Sequence, residues 1–159
     1  MIINSIISLP GDKSISHRSI MLASIASGVS RITNLNDGED LQSTIKAMQS
    51  CGALIKQDKD LIVVTGSSLA NPKEPIDCGN SGTTSRLLTG LLSSQHLSFS
   101  LIGDESLSKR PMNRVIKPLK EMGCIIKSND GLLPLHIDAS NSFNGIDYKM
   151  PIASAQVKS

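Results

Sequence analysis

Apolar residues recur at Ile15, Met21, Leu22, Ile25 and Ala26 within the stretch Ser14 to Ser27, and Gly28 ends the run, the pattern of an amphipathic or buried helix. A β-branched stretch, Val29 to Thr33, follows as a strand. Asp37 is placed to cap a second helix whose Leu41, Ile45 and Met48 fall on one face, with Gly52 positioned to end it in a left-handed turn. Ala53 to Lys56 and Leu61 to Thr65 flank the polar turn Gln57-Asp58-Lys59-Asp60, which predicts a β-hairpin, and Ser67 to Pro75 reads as a linker.

The same order then returns. Thr84 to Ser94 predicts a helix and Leu97 to Leu101 an alternating strand, after which Met112, Val115, Ile116, Leu119 and Met122 recur at helical spacing before Gly123. Pro118 inside that helix loses a hydrogen bond and predicts a kink. Cys124 to Lys127 and Leu132 to Ile137 form a second hairpin around Asn129-Asp130-Gly131, where Pro134 implies an edge strand or a bulge. The repeat is visible residue by residue, since Ala47 to Lys56 answers Pro118 to Lys127. The elements therefore predict an α/β (α+β) fold made of two copies of a helix-strand-helix-hairpin unit across residues 13–145. An N-terminal strand and hinge at 1–12 precede them. A strand-like stretch from Ile146 to Met150, with the turn Pro151 to Ser159, opens a third unit that the chain truncates.

At 159 residues, with 39% hydrophobic and 19% charged side chains and a mean hydropathy of zero, the chain is neither disordered nor membrane-embedded. No apolar run approaches the roughly 20 residues that span a bilayer, and the opening residues lack the basic start and cleavage site of an export signal. A net charge of +2 and 2% aromatic residues argue against nucleic acid as a partner. Cys51, Cys78 and Cys124 stand far apart, which predicts neither disulfides nor a zinc site and suits the cytoplasm.

The chemistry lies in what introduces each helix. A strand ending in a small polar turn that feeds a helix N-terminus offers free backbone N–H groups and the positive end of the helix dipole, which attract anions. Gly11, Gly79 and Gly82 allow close backbone approach, and Ser14, Thr83 and Ser154 supply hydroxyls. Lys13, Arg18, Arg86 and Lys158 add positive charge at the same helix starts. A phosphorylated metabolite is the matching ligand, because a phosphate monoester carries about −1.5 to −2 charges and each charged hydrogen bond to it is worth roughly 1.5–3 kcal/mol.

Any one of these turns alone is ordinary helix capping. Arg31 and Arg114 read as solvated charges, His96 and His136 as surface residues, and the cysteines as small core side chains. His17 lies inside a dense turn, with no histidine cluster at metal-ligand spacing.

Four segments, Leu9 to Arg18, Gly79 to Arg86, Lys109 to Met112 and Ser154 to Ser159, resemble in order the successive motifs of the 5-enolpyruvylshikimate-3-phosphate synthase family. The resemblance runs along the whole chain but covers only roughly the first third of such an enzyme. It implies repeated βαβαββ units of the enolpyruvyl transferase fold, two of three units of one lobe being present. It also implies transfer of the enolpyruvyl group of phosphoenolpyruvate to the 5-hydroxyl of shikimate 3-phosphate, without metal or organic cofactor.

Carried over by position, Lys13 would touch both substrates and assist proton transfer. Ser14 and Arg18 would hold the shikimate carboxylate, which suits a planar guanidinium. Ser154, Ala155 and Gln156 would lie along the shikimate phosphate and ring, Ala155 standing where many members have serine. Asn80, Gly82, Thr83, Arg110 and Gln156 would face phosphoenolpyruvate, with Arg86 and Lys158 in support. The related UDP-N-acetylglucosamine enolpyruvyl transferases carry Lys-Asn where this chain has Lys13-Ser14, and a reactive cysteine that the loop Gly103 to Lys109 lacks. A non-enzymatic remnant or split half that binds a phosphorylated metabolite is the reading from another class. With a second lobe missing, the chain is expected to lack turnover alone and to self-associate through its open face.

Overall fold

The computed structural model describes residues 9–139, 142–151 and 153–159. Asp12 opens the first helix, α1 (Lys13–Ile25), by accepting a hydrogen bond from the Ile15 backbone N–H at 2.8 Å. Strand β1 (Gly28–Thr33) leads to α2 (Glu39–Ser50), and β2 (Leu54–Asp58) and β3 (Leu61–Gly66) make the first hairpin. The cap of α2 is Gly38 rather than Asp37, because Asn36 turns the chain there, its side-chain oxygen accepting from the Gly38 N–H at 3.0 Å. Strand order is β1-β3-β2, antiparallel throughout.

The second half repeats this with additions. Strand β4 (Ile76–Asp77) precedes α3 (Gly82–Ser94), which begins two residues before the expected Thr84 because Ser81 caps it. Strand β5 (Phe99–Ile102) follows, then a short helix α4 (Glu105–Ser108) where the sequence predicted a loop. Helix α5 (Asn113–Glu121) runs through Pro118, and β6 (Ile125–Asn129) and β7 (Leu132–Asp138) close the unit. Strand order is β4-β5-β7-β6, with β4 parallel to β5 and the others antiparallel. The run β5-β7-β6 thus matches β1-β3-β2. Gly52 and Gly123 end α2 and α5 at φ +93° and +105°, a conformation that favours glycine.

Pro134 occupies an interior strand and is accommodated by a bulge: Asn129 pairs with Leu132 and Ser128 with Leu135, leaving Leu133 and Pro134 out of register. The anticipated strand at Ile146 to Met150 is irregular chain, since no strand lies beside it to bond its backbone among the described residues. Of the anticipated N-terminal strand and hinge at 1–12, residues 1–8 lie outside the described residues, as does Ile152, and residues 9–12 are irregular chain. A final short helix, α6 (Ala155–Lys158), follows.

The apolar core sits between the two sheets and the helices, with Ile20, Met48, Val64, Leu88, Leu92, Leu101 and Leu135 all but sealed from solvent. Each such side chain contributes about 1.5–3 kcal/mol by its burial. Helix α1 departs from its sequence pattern. Ile15 and Leu22 are 67% and 59% exposed, whereas Ser16, His17 and Ser24 are buried. Small polar side chains let helices approach closely, and the hydroxyls are satisfied locally, Ser24 donating to the Ile20 carbonyl at 2.8 Å and Ser16 to the Asp12 carbonyl at 2.7 Å.

Candidate active site at three helix starts

The turn before α1 leaves Lys13 and Ser14 exposed at the positive end of the helix. The Lys13 ammonium is ion-paired to the carboxylate of Asp40, in the first turn of α2. Arg18 lies one turn further along α1. Its guanidinium donates to the Ser14 carbonyl at 3.1 Å and to the Ser159 hydroxyl.

At α3 the Ser81 hydroxyl accepts from the Thr84 backbone N–H at 3.1 Å, which leaves Gly82 and Thr83 in the first turn. Arg110 grips the preceding Asn80, donating to its carbonyl at 3.3 Å and to its side-chain oxygen, and it also reaches the Ser106 hydroxyl at 3.1 Å. The Asn80 amide in turn donates to Asp104 at 2.6 Å. Asp104 caps α4 by accepting from the Leu107 N–H at 2.7 Å, and that bond, then the Asn80 amide, hold its carboxyl below the usual range. Arg86 folds back to donate to the Gly82 carbonyl and to the Pro111 carbonyl, each at 3.1 Å. Burial, then repulsion from Arg114 and Arg110, lowers the Arg86 pKa. Three guanidiniums thus concentrate positive charge beside the start of α3.

The third start joins the other two. Ser154 precedes α6 without a side-chain cap, and Ala155 and Lys158 are exposed. Gln156 donates to the Thr83 hydroxyl at 3.5 Å, while Ser159 meets Arg18 as above. Asp40 ties the first two starts together, since its carboxylate meets Lys13 and its backbone carbonyl accepts from the Thr84 hydroxyl at 3.2 Å. The proposed ligand-binding positions Lys13, Ser14, Arg18, Asn80, Gly82, Thr83, Arg110, Ser154, Ala155 and Gln156, with Arg86 and Lys158, therefore lie on one linked set of turns.

A largely apolar groove of about 470 Å³ opens between α1, α3, α5 and the C-terminal segment, with Arg18, Arg86 and Lys158 as its charged lining residues. Lys13, Asn80 and Arg110 do not line it. Cys78 is buried against Asp77, and burial foremost pushes its thiol up to about 12, far from nucleophilic. Among the described residues no group of three or more His, Cys, Asp or Glu is placed to hold a metal ion. Nor is any helix among them long and apolar enough to cross a membrane.

Sequence reasoning missed Asp40 and Asp104. Asp104, one residue before Glu105 and three before Leu107, carried a capping signal that could have been found. Asp40 carried none, because it reaches Lys13 from another helix.

Comparison with known proteins gives this architecture a name. The structure superposes on EPSP synthase from Acinetobacter baumannii with a TM-score of 0.90 at 42% identity, over 96% of this chain and 36% of that one, so its fold is that of the enolpyruvyl transferases. The family EPSP synthase (3-phosphoshikimate 1-carboxyvinyltransferase) matches residues 2–159, and the chain belongs to it. Proteins named 3-phosphoshikimate 1-carboxyvinyltransferase are 53% identical over 154 residues in Ruthia magnifica and 51% identical over 157 residues in Legionella pneumophila strain Corby. They are covered to 35% and 36% of their length, against 95% and 96% of this chain. The chain thus spans about a third of the length of the curated relatives it matches.

Proposed function

We propose that these turns form one side of a site that transfers the enolpyruvyl group of phosphoenolpyruvate to the 5-hydroxyl of shikimate 3-phosphate. The observation that carries this reading is the convergence of three helix starts with Lys13, Arg18, Arg86 and Arg110 around them. In chemical terms the 5-hydroxyl loses its proton and adds to C2 of phosphoenolpyruvate while the methylene carbon gains a proton. The resulting tetrahedral intermediate expels phosphate and gives back a methyl proton, which restores the double bond. Lys13 moves the hydroxyl proton. Ser14 and Arg18 hold the shikimate carboxylate, and Ser154, Ala155 and Gln156 lie along its phosphate and ring. Asn80, Gly82, Thr83, Arg110 and Gln156 face phosphoenolpyruvate, with Arg86 and Lys158 supporting them.

We assign residues 13–145 to two βαβαββ units, led in by residues 1–12, and 146–159 to the opening of a third. The partner of this face is a second lobe, which brings the remaining acid, base and basic groups, or another copy of the chain meeting it through the open face. The reaction belongs to aromatic amino-acid biosynthesis in the cytoplasm. Titration calorimetry at low salt tests the binding assignment. Shikimate 3-phosphate binds weakly and phosphoenolpyruvate alone hardly at all, because the groups assigned to the shikimate ester are on this chain, whereas the basic groups that complete the phosphoenolpyruvate side come from the second lobe. Equal binding of both, or unchanged shikimate 3-phosphate binding in Arg18→Ala, overturns it.

A further inference from the structure

We propose that His17 is a positioning residue, locked as its Nδ1–H tautomer by a file of buried hydroxyls that sets the α1 turn bearing Lys13, Ser14 and Arg18 against the α3 turn bearing Asn80, Gly82 and Thr83. His17 is completely buried, and its Nδ1 lies 2.7 Å from the Thr44 hydroxyl. Thr44, also completely buried, lies 2.7 Å from the hydroxyl of Thr84, which is itself 2.7 Å from the Ser81 hydroxyl and 3.2 Å from the Asp40 carbonyl. One file of side chains thus runs from α1 through α2 to the residue that caps α3.

Proton counting fixes its direction. Thr84 has one hydroxyl proton. The Thr84 hydroxyl donates to the Ser81 hydroxyl at 2.7 Å, and the Asp40 carbonyl at 3.2 Å can only accept, so the Thr84 proton points away from Thr44. Thr44 must then donate its own proton to Thr84 and accept from the other side. Among the described residues its hydrogen-bond neighbour there is His17 Nδ1, which therefore carries the hydrogen. The opposite setting leaves the Asp40 carbonyl facing Thr84 without a proton between them.

The far nitrogen agrees with this. His17 Nε2 is buried and has no hydrogen-bond partner among the described residues. As a bare acceptor it forgoes one bond, whereas as an N–H it would be an orphaned donor, and an imidazolium would add an uncompensated charge. Burial foremost disfavours the charged ring, and Lys13 and Arg18 on its own helix repel it, against attraction from Asp40 of α2. A neutral ring with one defined tautomer is a rigid spacer. Because Asp40 of α2 also binds Lys13, a slip of α1 against α2 breaks the file at His17–Thr44 and the Lys13 ion pair together.

The consequence for ligand binding rests on the function proposed above, but the hydrogen-bond setting does not, and the experiment separates them. In the ¹⁵N-labelled 159-residue chain, two-bond ¹H–¹⁵N correlation reads the His17 tautomer directly. The Nδ1–H form is expected, and an Nε2–H form overturns the proposal without any variant. Thr44→Val, which removes the hydroxyl at nearly constant shape, is expected to shift the backbone amides of both the Lys13–Ser14 and the Gly82–Thr83 turns. It is also expected to weaken shikimate 3-phosphate binding about tenfold, the size of one lost hydrogen bond, with Thr44→Ser restoring both readouts. Amide shifts confined to α1, or failure of Thr44→Ser to restore them, overturns the positioning role. If the unsubstituted chain does not bind shikimate 3-phosphate, the ligand assignment falls, while the tautomer and the paired amide shifts still decide this proposal. Should Thr44→Val fail to fold, the tautomer and the Thr44→Ser amide spectrum decide it.

Discussion

Gly82 lies beneath the guanidinium of Arg86, so closely that a Cβ at position 82 would stand 2.5 Å from Arg86 Nη1. The missing side chain is what lets Arg86 fold back onto the Gly82 carbonyl. In Gly82→Ala the flexible end of Arg86 gives way rather than the backbone. We expect the side-chain N–H signals of Arg86 to move as its bond to the Gly82 carbonyl is lost. The melt should stay cooperative. Unmoved Arg86 signals in the variant would contradict this geometry.

Lys13→Met separates chemistry from fold. The Lys13–Asp40 pair is half exposed, and such pairs are worth about 0.2–1 kcal/mol, so the melting temperature should change little. Turnover, measured as phosphate release in a protein that carries this chain together with the rest of a relative's length, should fall by at least the roughly 10²–10⁴-fold of a positioned proton-transfer group. The 159-residue chain by itself should release none.

The two isoleucines of α1 give opposite results. Ile20→Ala empties a fully buried site and should cost about 2–5 kcal/mol in denaturant unfolding, whereas Ile15→Ala acts on a side chain that is 67% exposed and should change stability by about 0.5 kcal/mol or less. Equal costs would place α1 in the wrong rotation.

Stability should fall as the pH drops below the usual histidine value of about 6.5. Burial holds the His17 pKa below that value in the folded chain. Between the two values the unfolded chain binds a proton that the folded chain refuses, so stability is fully present above the unfolded pKa. It is lost progressively as the pH falls through the window and levels off below the folded pKa. Thermal melts from pH 7.5 to 5 should show this slope, and His17→Asn should flatten it.

Much of the fold was readable because it rests on local signals. Gly52 and Gly123 marked the ends of α2 and α5, and Asn129-Asp130-Gly131 marked the second hairpin. The three turns themselves stood out because each keeps glycine or hydroxyl and a cation within a few residues at a helix start, the arrangement that suits an anion. The rotation of α1 was not readable. Its apolar residues suggested one face, but the structure buries the hydroxyls and imidazole instead, and their partners Thr44 and Thr84 stand 27 and 67 positions beyond His17 in the chain. The strand expected at Ile146 to Met150 failed for a similar reason, since strand propensity forms nothing without a neighbouring strand.

The exposure of Ile15 and Leu22 has a cost during folding. As the chain collapses, these two side chains favour a rolled orientation of α1 that hides them and turns Ser16, His17 and Ser24 outward, a local preference at odds with the final arrangement. Greasy contacts are too indifferent to direction to reject that rolled form. Hydroxyls and an imidazole, each demanding a partner at one angle and distance, reject it, so α1 behaves like a key whose teeth are polar.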